Sequence, residues 1–145
     1  MSAYMIFYLR DKDNSGRFLE MEWFCRSAWV YQALAPEVKY ETYCELDEKI
    51  ARNAMGWLGD LIEATEGNIA DEKELIEVIK EISAPISEIT EEIRYYQTVI
   101  DEHYQAIREM RAAKEIIAHY RAIAEHSENA RVYVAHECNP NGDEE

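Results

Sequence analysis

Proline is scarce in this chain, three in 145 residues. Only Pro85 lies between Pro36 and Pro140. An internal proline removes a backbone donor and clashes with the preceding turn, so long helices have room in the middle. Glycine is almost as rare, with five residues, and no Gly-rich phosphate loop, dinucleotide fingerprint or Gly-x-Ser-x-Gly elbow occurs. The three cysteines, Cys25, Cys44 and Cys138, are an odd number without a Cys-x-x-Cys pair. They read as reduced thiols of a cytosolic protein. No run approaches the roughly 18 apolar residues of a membrane span, and the start carries no cationic leader. Cationic charge is the largest deficit: 15 basic residues face 30 acidic ones, a net charge of −15. Such a field repels nucleic acid and anionic membrane and attracts basic surfaces.

The acidity is uneven. Residues 1–36 are neutral, residues 37–92 hold 16 acids against five bases, and residues 93–145 hold ten against six. Apolar residues make up 48%, and ten Tyr and three Trp are many for this length. One domain with a real core is expected. Tyr4 to Leu9 is an apolar β-rich run. Turn formers from Asp11 to Gly16 follow, and Leu19, Met21, Trp23 and Cys25 then alternate with acids. This predicts a β-hairpin within residues 1–26 whose first strand, apolar on both faces, is central. Ser27 can cap a short helix that Pro36 closes. Glu37 to Leu46 is loop or short strand, and Asp47 can cap a helix to about Thr65 buried through Ile50, Ala54, Trp57/Leu58, Leu61 and Ile62. Gly56 and Gly59 leave room for a close backbone or mark a kink, and Gly67-Asn68 reads as the helix end. Residues 27–70 are thus expected to be short helices. Ser127 to Asn129 is a break, residues 131–138 are a strand beside the first, and 139–145 a loose tail. The expected class is α+β, a small antiparallel sheet with a long, mostly helical middle forming a helical hairpin or coiled coil.

That middle, residues 71–126, carries the strongest pattern. Steps of three and four run from Leu75 through Ile79, Ile82, Ile86, Ile89, Ile93, Tyr96, Ile100, His103, Ile107, Met110 and Lys114 to Ile117. Their average of 3.5 residues keeps one stripe toward one partner. Unbroken, the segment would span roughly 80 Å. A kink or a fresh helix start at Pro85 is therefore expected, with a second bend near Tyr95–Tyr104 or a partner chain. His103 and Lys114 are polar positions in the seam, which either set register or mark where the stripe leaves the core.

Chemistry-bearing constellations are few. His136 and Cys138 share a strand face, His119 and His126 a helix face, and Glu115 and His119 are four apart. None has a metal-ligand spacing, and neither a metal nor a cofactor is expected. Cys25 falls on the buried side of its strand and reads as an inert core thiol. No catalytic residue emerges, so a non-enzyme is expected. Arg26 and Ser27 at a helix start, with Tyr31 one turn on and Arg10 on the adjacent strand, are a candidate anion site. Arg108, Arg111, Lys114 and Arg121, near Tyr104 and Tyr120, form a basic edge that the acidic residues 71–92 can match. The largest feature is an acidic face: Glu63, Glu66, Glu74, Glu77, Glu81, Glu88, Glu91 and Glu92, with Asp71 and Glu72 beside them. Carboxylates along a helix can imitate duplex phosphates in sign, at lower density.

The segments Met1-Ser2-Ala3-Tyr4-Met5-Ile6-Phe7-Tyr8-Leu9, Phe24-Cys25-Arg26-Ser27 and Val30-Tyr31-Gln32 resemble small uncharacterised acidic proteins of phages and mobile elements of Gram-positive bacteria. The resemblance implies a phage context and a host-cell cytosol location. Small acidic phage proteins without enzyme motifs often inhibit host defence by binding. Three functional expectations follow. In the first, the acidic helices bind a basic, nucleic-acid-binding surface of a host protein, in the manner of an anti-CRISPR inhibitor. In the second, a sponge captures a nucleotide signal near Arg26 and Ser27. In the third, the chain is a structural coiled-coil homodimer through the helical seam. Neither nucleic acid nor membrane is an expected direct partner.

Overall fold

The computed structural model describes residues 2–11, 18–38, 43–126 and 130–139. Side chains are described for 5–9, 25–38, 43–126 and 131–135. The predicted turn at 11–16, the break at 127–129 and the tail beyond Asn139 lie wholly or largely outside the described residues. The chain is α+β and divides into two compact units, Met1–Leu58 with Ala112–Glu145, and Gly59–Arg111.

The first unit holds the sheet. Strands β1 (Ser2–Asp11), β2 (Phe18–Cys25), β3 (Tyr43–Glu45) and β4 (Ala130–Asn139) pair antiparallel in the order β2-β1-β4-β3. β1 is central, and β4 pairs along its whole length, from Ser2↔Asn139 to Asp11↔Ala130. The apolar character of β1 on both faces has its counterpart in burial: Met5 and Phe7 are fully buried, and so, nearly, are Ile6 and Tyr8. Phe7 stacks on Tyr120 at 4.0 Å between centroids and 14° between planes. On the opposite face Ile6, Tyr8 and Ala135 cluster with Tyr133, and Tyr43 meets Tyr8 edge-on at 5.2 Å. The ambiguous stretch before Asp47 resolves in part as β3, held to β4 further by the Leu46 N–H donating to the Val132 carbonyl at 2.9 Å.

Helix α1 (Ala28–Leu34) begins where Ser27 accepts from the Val30 N–H at 3.3 Å and ends two residues before Pro36. Helix α2 (Glu48–Lys80) begins with Asp47 Oδ1 accepting from the Ile50 N–H at 2.8 Å. It does not stop at Thr65. It passes through Gly56, Gly59 and Gly67-Asn68, so the expected helix end at Gly67-Asn68 is overturned and residues 71–80 belong to the same helix. Each glycine costs about 1 kcal/mol against Ala. Ile62, Ile69, Ile76 and Ile79 are all buried, and burying each contributes about 1.5–3 kcal/mol, so packing outweighs propensity. A Cβ at Gly56 or Gly67 would meet nothing within 4 Å, so no close backbone approach explains either. Toward the first unit the helix buries Ala51, Ala54 and Leu58, with Trp57 40% exposed, not on the buried stripe.

The second unit is an antiparallel helical hairpin. α2 ends in two tight bonds, Glu81 N–H to Val78 O and Ile82 N–H to Ile79 O, both 3.1 Å. Pro85, which has no N–H to lose, offers its carbonyl to the Glu88 and Ile89 amides at 3.1 and 3.2 Å. Helix α3 (Ile86–His126) starts there, so a new helix and not a kink is the outcome at Pro85. α3 then runs unbroken, and the bend expected near Tyr95–Tyr104 is absent. Thr90 and Thr98 fit by donating their hydroxyls to the Ile86 and Arg94 carbonyls, at 2.8 and 3.0 Å. Register comes from contacts across the hairpin: Glu72 with His103, Lys73 with Tyr104, and Glu66 with Arg111.

Candidate functional site

In this hairpin the 3–4 stripe splits into two parts. Ile79, Ile100, Ile107 and Met110 are buried and face the seam. Leu75, Ile82 and Ile86 are not: they are 38%, 49% and 83% exposed. The reason is phase. α2 directs Ile62, Ile69, Ile76 and Ile79 inward, and Leu75 lies about 100° away from Ile76 around a 3.6-residue helix. Within α2, Leu75 therefore shares a flank with Val78, 52% exposed, Ile82 follows in the turn just past the end of the helix, and the predicted single seam is corrected to a buried seam plus an uncovered strip.

His103 sits in the buried seam. Its Nε2 lies 3.1 Å from Glu72 Oε1, while Glu72 Oε2 is buried without a hydrogen-bond partner. Of the two readings of the polar seam, register fits this contact. Lys73 donates to the Tyr104 hydroxyl at 2.8 Å and lies 5.4 Å from that ring's centroid.

All eight predicted acidic residues are exposed and lie in the hairpin unit. Glu63, Glu66, Glu74, Glu77 and Glu81 follow spacings of three, seven and eleven, so they occupy one side of α2 and its exit, turned away from the buried isoleucines. Glu88, Glu91 and Glu92 occupy the first two turns of α3, where negative charge complements the helix dipole. Glu66 reaches Arg111 at 3.8 Å and Glu77 reaches Lys80 at 3.1 Å. Among the described residues, Glu63, Glu74, Glu81, Glu88, Glu91 and Glu92 have no cation within ion-pairing distance. From Glu63 to Glu81 the five carboxylates cover about 27 Å, sparser than the charge per ~1.7 Å of a duplex. The match is one of sign and facing, not of density. Across the whole unit, residues 59–111 hold fourteen acids and five bases, a net charge of −9.

Three of the four cations of the basic edge are engaged within the chain. Arg108 donates twice to Gln105 and Arg111 pairs with Glu66. Arg121 donates to the Leu46 carbonyl and lies 3.5 Å from Glu125. None of these partners lies in the expected acidic segment 71–92.

The candidate anion site is spread along the β1–β2 hairpin, and the Arg10 side chain lies outside the described residues. Met5 pairs with Cys25 but Arg10 pairs with Phe18. The backbone of Arg10 is therefore about 17 Å along β1 from the Arg26 end, at the far end of the strand pairing from the start of α1. α1 has only seven residues, and two of its amides are engaged at Ser27: Val30 donates to the hydroxyl and Tyr31 to the carbonyl. Arg26 is exposed and Tyr31 half-buried. At the level of the backbone, Arg10 stands apart from Arg26, Ser27 and Tyr31.

Among the described residues, no three His, Cys, Asp or Glu are grouped to hold a metal, and no helix is long and apolar enough to cross a membrane. The side chains of His136 and Cys138 lie outside the described residues; His119 sits edge-on to Tyr120 at 5.4 Å. Burial pushes the Cys25 thiol up, against a lowering hydrogen bond from the Ser27 backbone. Burial, then Asp47, Glu37 and Glu45, push Cys44 up. Both stay thiols at neutral pH, which suits an inert role. Tyr120 is raised too, by burial and then by Cys25. All three groups are neutral when protonated, so the folded state holds their protons more tightly than the unfolded state does. Stability from this source is complete below the ordinary thiol range and is lost as pH rises through the raised values. The urea midpoint is expected to fall as pH rises through and beyond the ordinary thiol range, from about pH 8.5 upward, and Cys25→Ala with Cys44→Ala to flatten that fall. An unchanged slope in the double variant would sink the assignment.

Compared with protein-family models, with curated proteins and with solved structures, the chain matches none.

Proposed function

We propose that this chain is a non-enzymatic, phage-type inhibitor of a host defence system. It acts by laying its acidic hairpin on a basic, nucleic-acid-binding surface of a host protein. The observation that carries the reading is the exposed row of glutamates on the hairpin unit. Six of them have no cation among the described residues, so their charge is available to an outside partner. A guide-RNA effector, which holds its heteroduplex in a positively charged channel, is the natural kind of target. The phage-protein resemblance of the first third of the chain supports that setting.

The test is a cleavage assay with purified guide-loaded effectors, in which wild-type chain competes with target DNA. The quadruple variant Glu63→Lys, Glu74→Lys, Glu81→Lys and Glu92→Lys is expected to weaken inhibition at least tenfold, about 1.4 kcal/mol of binding. Wild-type affinity should drop steeply with added salt. Inhibition that ignores both salt and charge reversal would overturn the reading.

A further inference from the structure

The acidic row explains attraction to a cationic surface but not the apolar strip beside it. Leu75 and Val78, three residues apart on one flank of α2, and Ile82, in the turn just past its end, are 38%, 52% and 49% exposed. Ile86, at the first position of α3, is 83% exposed, and Tyr95 is 62% exposed. These are five large apolar or aromatic side chains within 21 residues of one unit. Ile82 and Tyr95 meet in a groove of about 560 Å³ whose floor includes Ile79, Ile89 and Tyr96. Glu88, Glu91 and Glu92 line the same groove. The strip from Leu75 to Ile82 is about 10 Å long, two turns of a docking helix, and the groove continues it onto α3. Apolar surface of this kind, rimmed by charge, marks an interaction site.

The charge decides the occupant. Residues 71–93 hold eight acids and two bases, so a second copy of this chain would bring like charge against like. A neutral apolar helix would leave the rim carboxylates desolvated without partners, which costs binding energy. The remaining fit is a helix with an apolar stripe flanked by Lys or Arg. We infer that the groove between Ile82 and Tyr95, extended by Leu75 and Val78, docks a cationic amphipathic helix of the partner protein. Anchors three, four and seven residues apart would enter the apolar strip, and cations would meet Glu88, Glu91 and Glu92. This rests on the proposed basic partner and specifies its form: the partner recognises shape and apolar spacing as well as charge.

The probes are three synthetic peptides of about 18 residues, roughly five helical turns. One has Leu and Lys arranged as an amphipathic helix, one has the same composition scrambled, and one is oligolysine. Binding is read by fluorescence anisotropy at low salt and at about 0.5 M NaCl, where exposed charges are largely screened. At high salt the wild-type chain is expected to bind the amphipathic peptide at least tenfold tighter than the scrambled one. Val78→Ser with Ile82→Ser and Ile86→Ser, all exposed positions outside the buried seam, should remove that preference. Low-salt oligolysine binding and helical circular dichroism should stay unchanged. No preference in the wild type, or a preference surviving in the triple variant, overturns the inference. So does a wild-type dimer in sedimentation that the triple variant abolishes, because the occupant would then be a second copy. Oligolysine binding that survives the lysine reversals counts against the electrostatic reading alone, since the amphipathic preference is measured under screening.

Discussion

Phe7→Ala is expected to cost the sheet unit about 3–5 kcal/mol, the range for deleting a buried aromatic ring. Phe7 is wholly buried on the central strand and stacked on Tyr120. Its loss removes a ring's worth of apolar burial, an aromatic pair contributing about 0.5–1.5 kcal/mol beyond area, and leaves a cavity between β1 and α3. Strand pairing on both sides, to Trp23 and to Val134, holds the backbone against collapse into that space, so relaxation recovers little. Against a typical stability of about 5–15 kcal/mol the variant is badly weakened at physiological temperature. The check is convenient because Trp23, Trp29 and Trp57 all belong to the sheet unit. Urea unfolding followed by tryptophan fluorescence therefore reads this unit alone. A loss under about 1 kcal/mol would mean that Phe7 is not a packed core residue.

The second large effect sits in the helical hairpin. His103→Leu is expected to destabilise it by about 1–3 kcal/mol, the cost of stranding a largely buried polar group. Among the described residues His103 is the hydrogen-bond partner of the Glu72 carboxylate, whose other oxygen is already buried without one. The side chains keep 29% and 20% of their exposure, so water screens part of the penalty and the lower half of the range is the better expectation. Glu72→Leu combined with His103→Leu should recover the loss, because an apolar pair of similar volume fills the seam without a desolvated charge. Far-UV circular dichroism in urea measures both. If the single variant matches wild type, the carboxylate has turned to water and the pair does not hold the register.

Local signals carried a good part of this architecture. Ser27 and Asp47 are short polar side chains just ahead of helical runs, and both cap as such residues do. Pro85 starts a helix because its ring forbids continuing one. The β-branched and aromatic runs at either end of the chain pair as the apolar pattern of β1 implied. The failures share one cause, the dominance of distant packing over local preference. Gly67-Asn68 looks like a helix end, yet Ile69 and Ile76 have a hairpin partner to bury against. β3 is three residues long and exists because β4 offers an edge. Leu75 fits the 3.5-residue step of α3, but the chain reverses between the two helices and α2 follows its own phase. The acidic residues were readable as a list, but their separation into an outward row along α2 and a group lining the groove on α3 needed the hairpin register. Arg10 and Arg26 looked close because hairpin strands are adjacent, and only the pairing register puts them at opposite ends.

The β1–β4 ladder has a consequence for how the chain comes to be folded. Its two strands are joined through everything between Asp11 and Ala130, so the central pairing of the sheet is among the most remote in sequence that this chain can make. Closing a loop of that size costs about 2 kcal/mol more than closing one of ten residues. The helical hairpin, by contrast, closes through the handful of residues around Pro85. Helices of local contact form early, and non-local strand pairing is slow. During synthesis β1 therefore waits, with its apolar edge unpaired, until residues 130–139 have been made. That interval, and not the finished structure, is when this chain is most open to aggregation and to capture by chaperones.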